Sequence, residues 1–357
     1  MSLDPKSLRQ WWPKPSKPRP IVIFGAGSIV GDAHLPAYRQ GGFPVAGLYD
    51  PNAEKAAALA AQWGIRTFAS EAEALAIEGA IFDLATPPAA HALILSKLPR
   101  GSFALIQKPM GSDLNGASDI LRVCRERDIK AAVNFQLRFA PMMLALYDAV
   151  NKGYLGDVVD FDAWLALATP WGLWPFLKGL PRIEIAMHSI HYLDFIRGLL
   201  GNPQGVHAKT IGHPNHDVAQ TRTAAILDYG DKVRCVLSVN HDHDFGRKFQ
   251  ACEFRIAGTK GAAYIKLGVN LDYPRGEPDE LWIRPEGGSD WVEVKLEGSW
   301  FPDAFVNRMA NLQRFASGED QELVGSVEDA WQTMALVEAA YRSSAAPATP
   351  IAELPKA

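Results

Sequence analysis

At 357 residues, with 48% hydrophobic and 21% charged residues, the chain is long enough for two hydrophobic cores and has the composition of an ordinary globular protein. Its formal net charge of −4 gives no whole-molecule attraction to nucleic acid or anionic membrane. Three separated cysteines, Cys124, Cys235 and Cys252, form no C-x-x-C pair and no disulfide framework, which fits a reducing cytoplasm, and no run of about 18 apolar residues marks a membrane span.

In chain order, residues 1–19 are a Pro-rich, mildly basic arm. The expectation is a partly ordered leader, with Trp11 and Trp12 available to dock on the body or on a second subunit. From residue 20 to 140, short apolar runs (IVIFGAG, VAGLYD, IFDLATP, FALIQKP, AAVNFQ) alternate with helical segments such as AEKAAALAAQWG and 115–127. That alternation predicts an α/β domain with a parallel sheet covered on both faces. From 141 to 357 the texture changes: after a helix through MMLALYDAVNKG, strand follows strand, which predicts an α+β domain with a largely antiparallel sheet. Phe305, Met309, Leu312 and Phe315 recur at helical spacing, as do Val327, Trp331, Met334, Val337 and Tyr341, with Ser326 and Asp329 placed as a capping box.

The first apolar run ends in GAGSIVG, so Gly25 and Gly27 fall where a strand turns into a helix. Glycines there permit positive φ and close backbone approach to a pyrophosphate. The third glycine position of G-x-G-x-x-G is Val30, with Gly31 one residue late. Asp50 ends the second strand, placed to accept hydrogen bonds from an adenosine ribose and to repel a 2′-phosphate, which favours NAD over NADP. Further on, RIEIAMHSIHYLD read as a helix puts Glu184, His188, His191 and Asp194 along one side. Two readings stand for that stripe: ligands of a divalent ion, or a metal-free acid/base device.

Taken together, Gly25-Ala26-Gly27, Asp50, ATPPAAH (85–91), QKP (107–109), NFQLRF (134–139) and EIAMHSIHYLD (184–194) resemble the Gfo/Idh/MocA family, in the family's order. The resemblance implies a Rossmann domain, a second domain with an open sheet, a homodimer or homotetramer, and an NAD(P)-dependent oxidoreductase acting on a sugar, polyol or inositol-like alcohol. On that resemblance Lys108 assists at the reacting oxygen, His188 exchanges the hydroxyl proton, and Glu184 orients His188 or grips another hydroxyl. Gln107 stands where the family has glutamate, and Glu184 where it has aspartate. The cofactor would be held by Gly25, Ala26, Gly27, Ser28, Ile29, Asp50, Thr86, Pro87, His91, Gln107 and Lys108. Gln136, Arg138, Trp164, Trp171, Trp174 and His191 are candidates to face substrate, His191 being weighed against a satisfied core histidine.

With the glycine turn, Asp50 and Lys108 in place, the stripe needs no metal. HDHDFG (241–246), with His213 and His216, is the rival metal patch, a polar turn, or an element that closes the cleft. Two other activities remain within the resemblance: an NAD-dependent glycoside hydrolase and a catalytically silent sugar or NAD sensor.

Overall fold

The computed structural model describes residues 4–174, 177–272, 275–288 and 290–352. Its first part runs β1 (Ile21–Phe24), α1 (Leu35–Gly41), β2 (Val45–Tyr49), α2 (Ala53–Trp63), α3 (Glu71–Leu75), β3 (Ile81–Leu84), α4 (His91–Lys97), β4 (Phe103–Ile106), α5 (Leu114–Glu126) and β5 (Lys130–Val133). The five strands form one parallel sheet in the order β2-β1-β3-β4-β5. β1, β3 and β4 read as nearly continuous apolar runs because helices cover both faces. A parallel bridge between Leu48 and Thr67 adds a one-residue strand outside β2. With it, the order becomes that of a Rossmann sheet, whose chain reverses direction between β1 and β3.

The second part runs α6 (Pro141–Asn151), β6 (Val158–Ala166), α7 (Ile190–Leu200), β7 (Gly205–Ile211), β8 (Arg222–Asp228), β9 (Arg234–Asn240), β10 (Ala251–Gly258), β11 (Ala262–Lys266), β12 (Glu280–Arg284), β13 (Val292–Glu293), α8 (Asp303–Ala316) and α9 (Val327–Ala345). Its eight strands are ordered β13-β12-β11-β10-β6-β9-β8-β7. All neighbours are antiparallel except β6 and β9. Phe161, Ala163 and Leu165 of β6 are buried on one side, whereas Trp164 is exposed on the other. One face of this sheet is therefore packed and the other open.

α8 has the apolar spacing read from the sequence, but Phe305, Val306, Met309 and Leu312 join Ile21, Ile23 and Leu105 in the core of the first sheet. A helix about 170 residues beyond the last strand of that sheet thus completes its cover. The arm is more ordered than a leader. Leu8 is buried, the Trp12 backbone N–H donates to Asn307 Oδ1 (2.8 Å) and its indole N–H to Asp320 Oδ2 (2.6 Å). Its ring lies 5.4 Å from that of Phe139. These partners are remote in sequence, which is why composition alone suggested disorder. No helix among the described residues is long and apolar enough to cross a membrane.

Candidate active site

The carboxyl ends of β1, β3, β4 and β5 collect most of the expected groups. Gly25 has φ of +107°, and a Cβ there would sit 2.3 Å from the Ala85 carbonyl oxygen. No side chain fits, so the turn after β1 can lie against the turn after β3. A Cβ on the exposed Gly27 would meet nothing within 4 Å, which leaves open space along the turn at Gly27 and Ser28. Asp50 accepts from Ala26 N–H through one carboxylate oxygen and from Asn52 N–H through the other, both at 2.8 Å. Ile29 precedes a π-helical turn, Val30–His34, that runs into α1. Gly31 lies on this turn, its Cβ position 3.1 Å from the Leu59 side chain on α2.

After β3, Thr86 Oγ1 is buried without a hydrogen-bond partner among the described residues. The Thr86 carbonyl lies 3.0 Å from His91 Nε2. Burial pushes the His91 imidazole down to about 4, so it is neutral at physiological pH. Pro87 is exposed beside this turn. After β5, Gln136 Oε1 and both side-chain polar atoms of Asn134 are also buried and unpartnered. Buried polar groups are rarely left this way. The glycine cradle, the acidic strand end and these unpaired groups fit a dinucleotide lying across the switch point.

β4 leads directly into Gln107 and Lys108. Gln107 Oε1 accepts from Lys108 N–H (2.9 Å), and its Nε2 lies 3.4 Å from His34 Nε2. His34 Nδ1 in turn lies 2.7 Å from Asp83. An amide can donate to that imidazole nitrogen, which a carboxylate cannot, so Gln107 is matched to its neighbour. Lys108 Nζ donates to the Met187 carbonyl (2.9 Å), the peptide just before His188. Burial lowers the Lys108 amine to about 8. His188 and His191 are both held well below the ordinary imidazole value, first by burial; His241, Lys108 and His191 then act on His188, and Lys108 on His191. Each has an unpartnered Nδ1.

The stretch that carries them differs from the expected helix. Glu184–Ser189 is a π-helical turn that feeds α7, so residues five apart align in place of residues four apart. Ser189 Oγ, not His188, donates to Glu184 Oε1 (2.5 Å), and Thr223 Oγ1 donates to the other oxygen. Glu184 is fully buried, and no hydrogen bond joins it to His188.

Two family models match the chain: the oxidoreductase family with NAD-binding Rossmann fold over residues 19–135, and the Gfo/Idh/MocA C-terminal domain over residues 143–264. The chain belongs to the Gfo/Idh/MocA family. It is an NAD(P)-dependent oxidoreductase, with NAD the expected cofactor. Among relatives, D-apiose dehydrogenase of Rhizobium rhizogenes is 25% identical over 85% of this chain and 89% of its own length. Inositol 2-dehydrogenase of Rhizobium meliloti is 27% identical over 90% of this chain and 96% of its own. Among solved structures, an oxidoreductase from Agrobacterium radiobacter, in complex with NAD+, L-tartaric acid and magnesium, shares the fold. Its TM-score is 0.78 at 23% identity, covering 92% of this chain and 97% of that one.

Several candidates lie elsewhere. Arg138, expected to face substrate, is buried in an ionic cluster. Its guanidinium binds Asp194 at 2.6 and 2.8 Å and Asp329 at 2.8 Å, and Arg197 joins from the other side of Asp329. With its donors committed, Arg138 ties α7 to α9. Trp164 is on the open face of the second sheet, where Arg255 packs over its ring. Period-two alternation along β6 puts it there, opposite Ala163 and Leu165. Trp171 is at the site, its ring 5.5 Å from His188 and its indole N–H donating to Asp242 (3.2 Å). Trp174 and Met187 pack with Trp171, Leu177, Ile183 and Val218 in a small separate cluster beside it. His191 is buried against Trp300 (5.7 Å) and is not a satisfied core histidine, given its unpartnered Nδ1.

Two residues at the site were not assigned to it from sequence. Asn134 is the first residue of NFQLRF, and its burial could have been inferred from its place at a parallel strand end. His241 belongs to the polar patch HDHDFG; its ring lies 4.6 Å from that of His188. Among the described residues no group of three or more His, Cys, Asp or Glu has the geometry to hold a metal ion.

Proposed function

We propose that this enzyme oxidises one hydroxyl of a sugar, polyol or inositol-like alcohol, His188 taking the hydroxyl proton while Lys108 hydrogen-bonds the same oxygen. The observation that carries this reading is the Lys108 Nζ to Met187 carbonyl contact at 2.9 Å, which brings the amine beside His188 at the carboxyl edge of the Rossmann sheet. Held neutral by burial and neighbouring charge, His188 is in the form that accepts a proton. Lys108, with its amine lowered to about 8, is charged at neutral pH and stabilises negative charge as it develops on oxygen. Bound NAD supplies the hydride acceptor. Gly25, Ala26, Gly27 and Ser28 cradle its pyrophosphate, Asp50 binds its adenosine ribose, and Thr86, Asn134 and Gln136 offer unpaired polar atoms towards the other end. Trp171 walls the alcohol side. The substrate class rests on the relatives, a D-apiose dehydrogenase and an inositol 2-dehydrogenase.

The open face of the second sheet carries the exposed Trp164, Ile226 and Trp291, a patch suited to a second copy of the chain. Three free, buried cysteines support a reducing cytoplasm as its location. A panel of aldoses, polyols and inositols, followed by NADH absorbance, tests the function. Substrate-dependent NADH supports it. Release of free sugar from aryl glycosides without NADH would instead favour the hydrolase, and silence with every compound despite NAD binding would favour a sensor.

A further inference from the structure

His241 follows β9, and its backbone is pinned from both sides: its N–H donates to the Thr221 carbonyl and its carbonyl accepts from Thr169 N–H, each at 3.0 Å. The next residue, Asp242, bridges to Ala168 beyond the end of β6. The side chain that this backbone delivers is buried. Its ring centroid is 4.6 Å from that of His188, with 39° between the planes, and Trp171 closes the other side at 5.6 Å. The Nδ1 of His241 is 2.8 Å from Thr169 Oγ1. Its Nε2 faces Glu184 Oε1 at 3.5 Å, the carboxylate that Ser189 and Thr223 lock in place.

We propose that His241, held by Thr169 at Nδ1 and with its buried Nε2 turned towards Glu184, is a positioning residue that sets the ring plane of His188. The inference rests on the reading of His188 as the acid/base group. A Thr169 hydroxyl that donates to Nδ1 fixes the ring and leaves Nε2 towards Glu184, at 3.5 Å and without a hydrogen-bond partner among the described residues. One face of the imidazole packs at a tilt against His188, whose own Nδ1 also has no hydrogen-bond partner. Glu184 thereby faces His188 across the His241 ring, in place of the direct contact that the four-residue spacing implied. The titratable groups that face His188 are Lys108 after β4, His191 on α7 and His241 after β9; Glu184 lies behind His241, and Asp242 behind Trp171.

The test uses the full-length protein with NAD and a turned-over alcohol. His241→Phe keeps an aromatic ring against His188 but loses the Thr169 hydrogen bond and the nitrogen turned towards Glu184. The expected result is a fall in kcat of about tenfold or more with KM for NAD unchanged, as a misaligned base requires. The acidic limb of the kcat/KM profile moves to higher pH, because the influence of His241 that lowers the His188 imidazole is lost. Thr169→Val releases the ring at Nδ1 and should move the same limb by less, in a variant that keeps the buried imidazole. Wild-type kcat and an unmoved limb in both variants would overturn the proposal, as would a loss of thermal stability with no change in the limb. Failure here is separable from failure of the function: if His188→Ala is inactive while His241→Phe is normal, only the positioning role falls.

Discussion

Asp50 does two jobs that one substitution separates. Its carboxylate accepts from two backbone N–H groups at 2.8 Å, Ala26 in the glycine turn and Asn52 ahead of α2. Asp50→Ser replaces the two carboxylate acceptors with one shorter, uncharged hydroxyl. Hydrogen bonds to a charged acceptor contribute about 1.5–3 kcal/mol each, but water reaches this half-buried position, so a net loss of about 1–3 kcal/mol in folding stability is expected. The second job is electrostatic. A carboxylate about 4–5 Å from a 2′-phosphate repels it by about 3–4 kcal/mol at an effective dielectric near 20. Screening and side-chain movement reduce this to about 2–3 kcal/mol, or roughly 30- to 150-fold in preference. Fluorescence titration with NAD and NADP at one ionic strength reads the ratio of dissociation constants directly. The ratio should fall by that factor. A ratio within about threefold of wild type, alongside the stability loss, would make Asp50 a brace for the turn and no determinant of cofactor choice.

Other outcomes follow from the same geometry. Lys108→Met should abolish turnover yet stabilise the fold at pH 7 by about 1–3 kcal/mol, since a buried ammonium is a folding cost. With the folded Lys108 near 8 against its ordinary 10.5, the unfolded chain binds the extra proton between those values. Wild-type stability therefore rises with pH through that window and the advantage of the variant fades; urea titrations at pH 7 and 10 check this. His91 has the same sign at lower pH: held at about 4 against an ordinary 6.5, it contributes stability that is present above pH 6.5 and lost as pH falls towards 4. His91→Gln should flatten that acid slope by about 2 kcal/mol in urea titrations, and an unchanged slope would contradict it. Arg138→Ala leaves Asp194 buried without its bidentate partner, so stability should drop by about 3–5 kcal/mol while KM for NAD and alcohol stays put. A raised KM with unchanged stability would return Arg138 to the substrate site.

Much of this protein is legible locally. The alternation of apolar strands and amphipathic helices, Gly25 at a turn that admits no side chain, and Asp50 at the end of β2 are all set by residues close in sequence. The N-cap of α9 is equally local, with Ser326 Oγ accepting from Asp329 N–H. What escapes is whatever depends on partners far along the chain or on a departure from regular helical period. The spacing of α8 shows that one side is buried, but not that Ile21 and Leu105 wait to cover it. The π turn at 184–189 changes which residues align, taking Glu184 away from His188 and giving it to Ser189. Arg138 looked available because its partner Asp329 lies nearly two hundred residues away. His241 looked like part of a solvated patch because only the pairing of β6, β8 and β9 brings it over His188.

The central claim is that His188 and Lys108 share the proton and charge handling of one hydroxyl oxidation. The most direct measurement is kcat for His188→Ala and Lys108→Ala on an alcohol that the wild type turns over with NAD, with NAD affinity measured in parallel. The account predicts a fall of about 10²- to 10⁴-fold in each variant with NAD binding retained. Turnover at the wild-type rate in either one would contradict it.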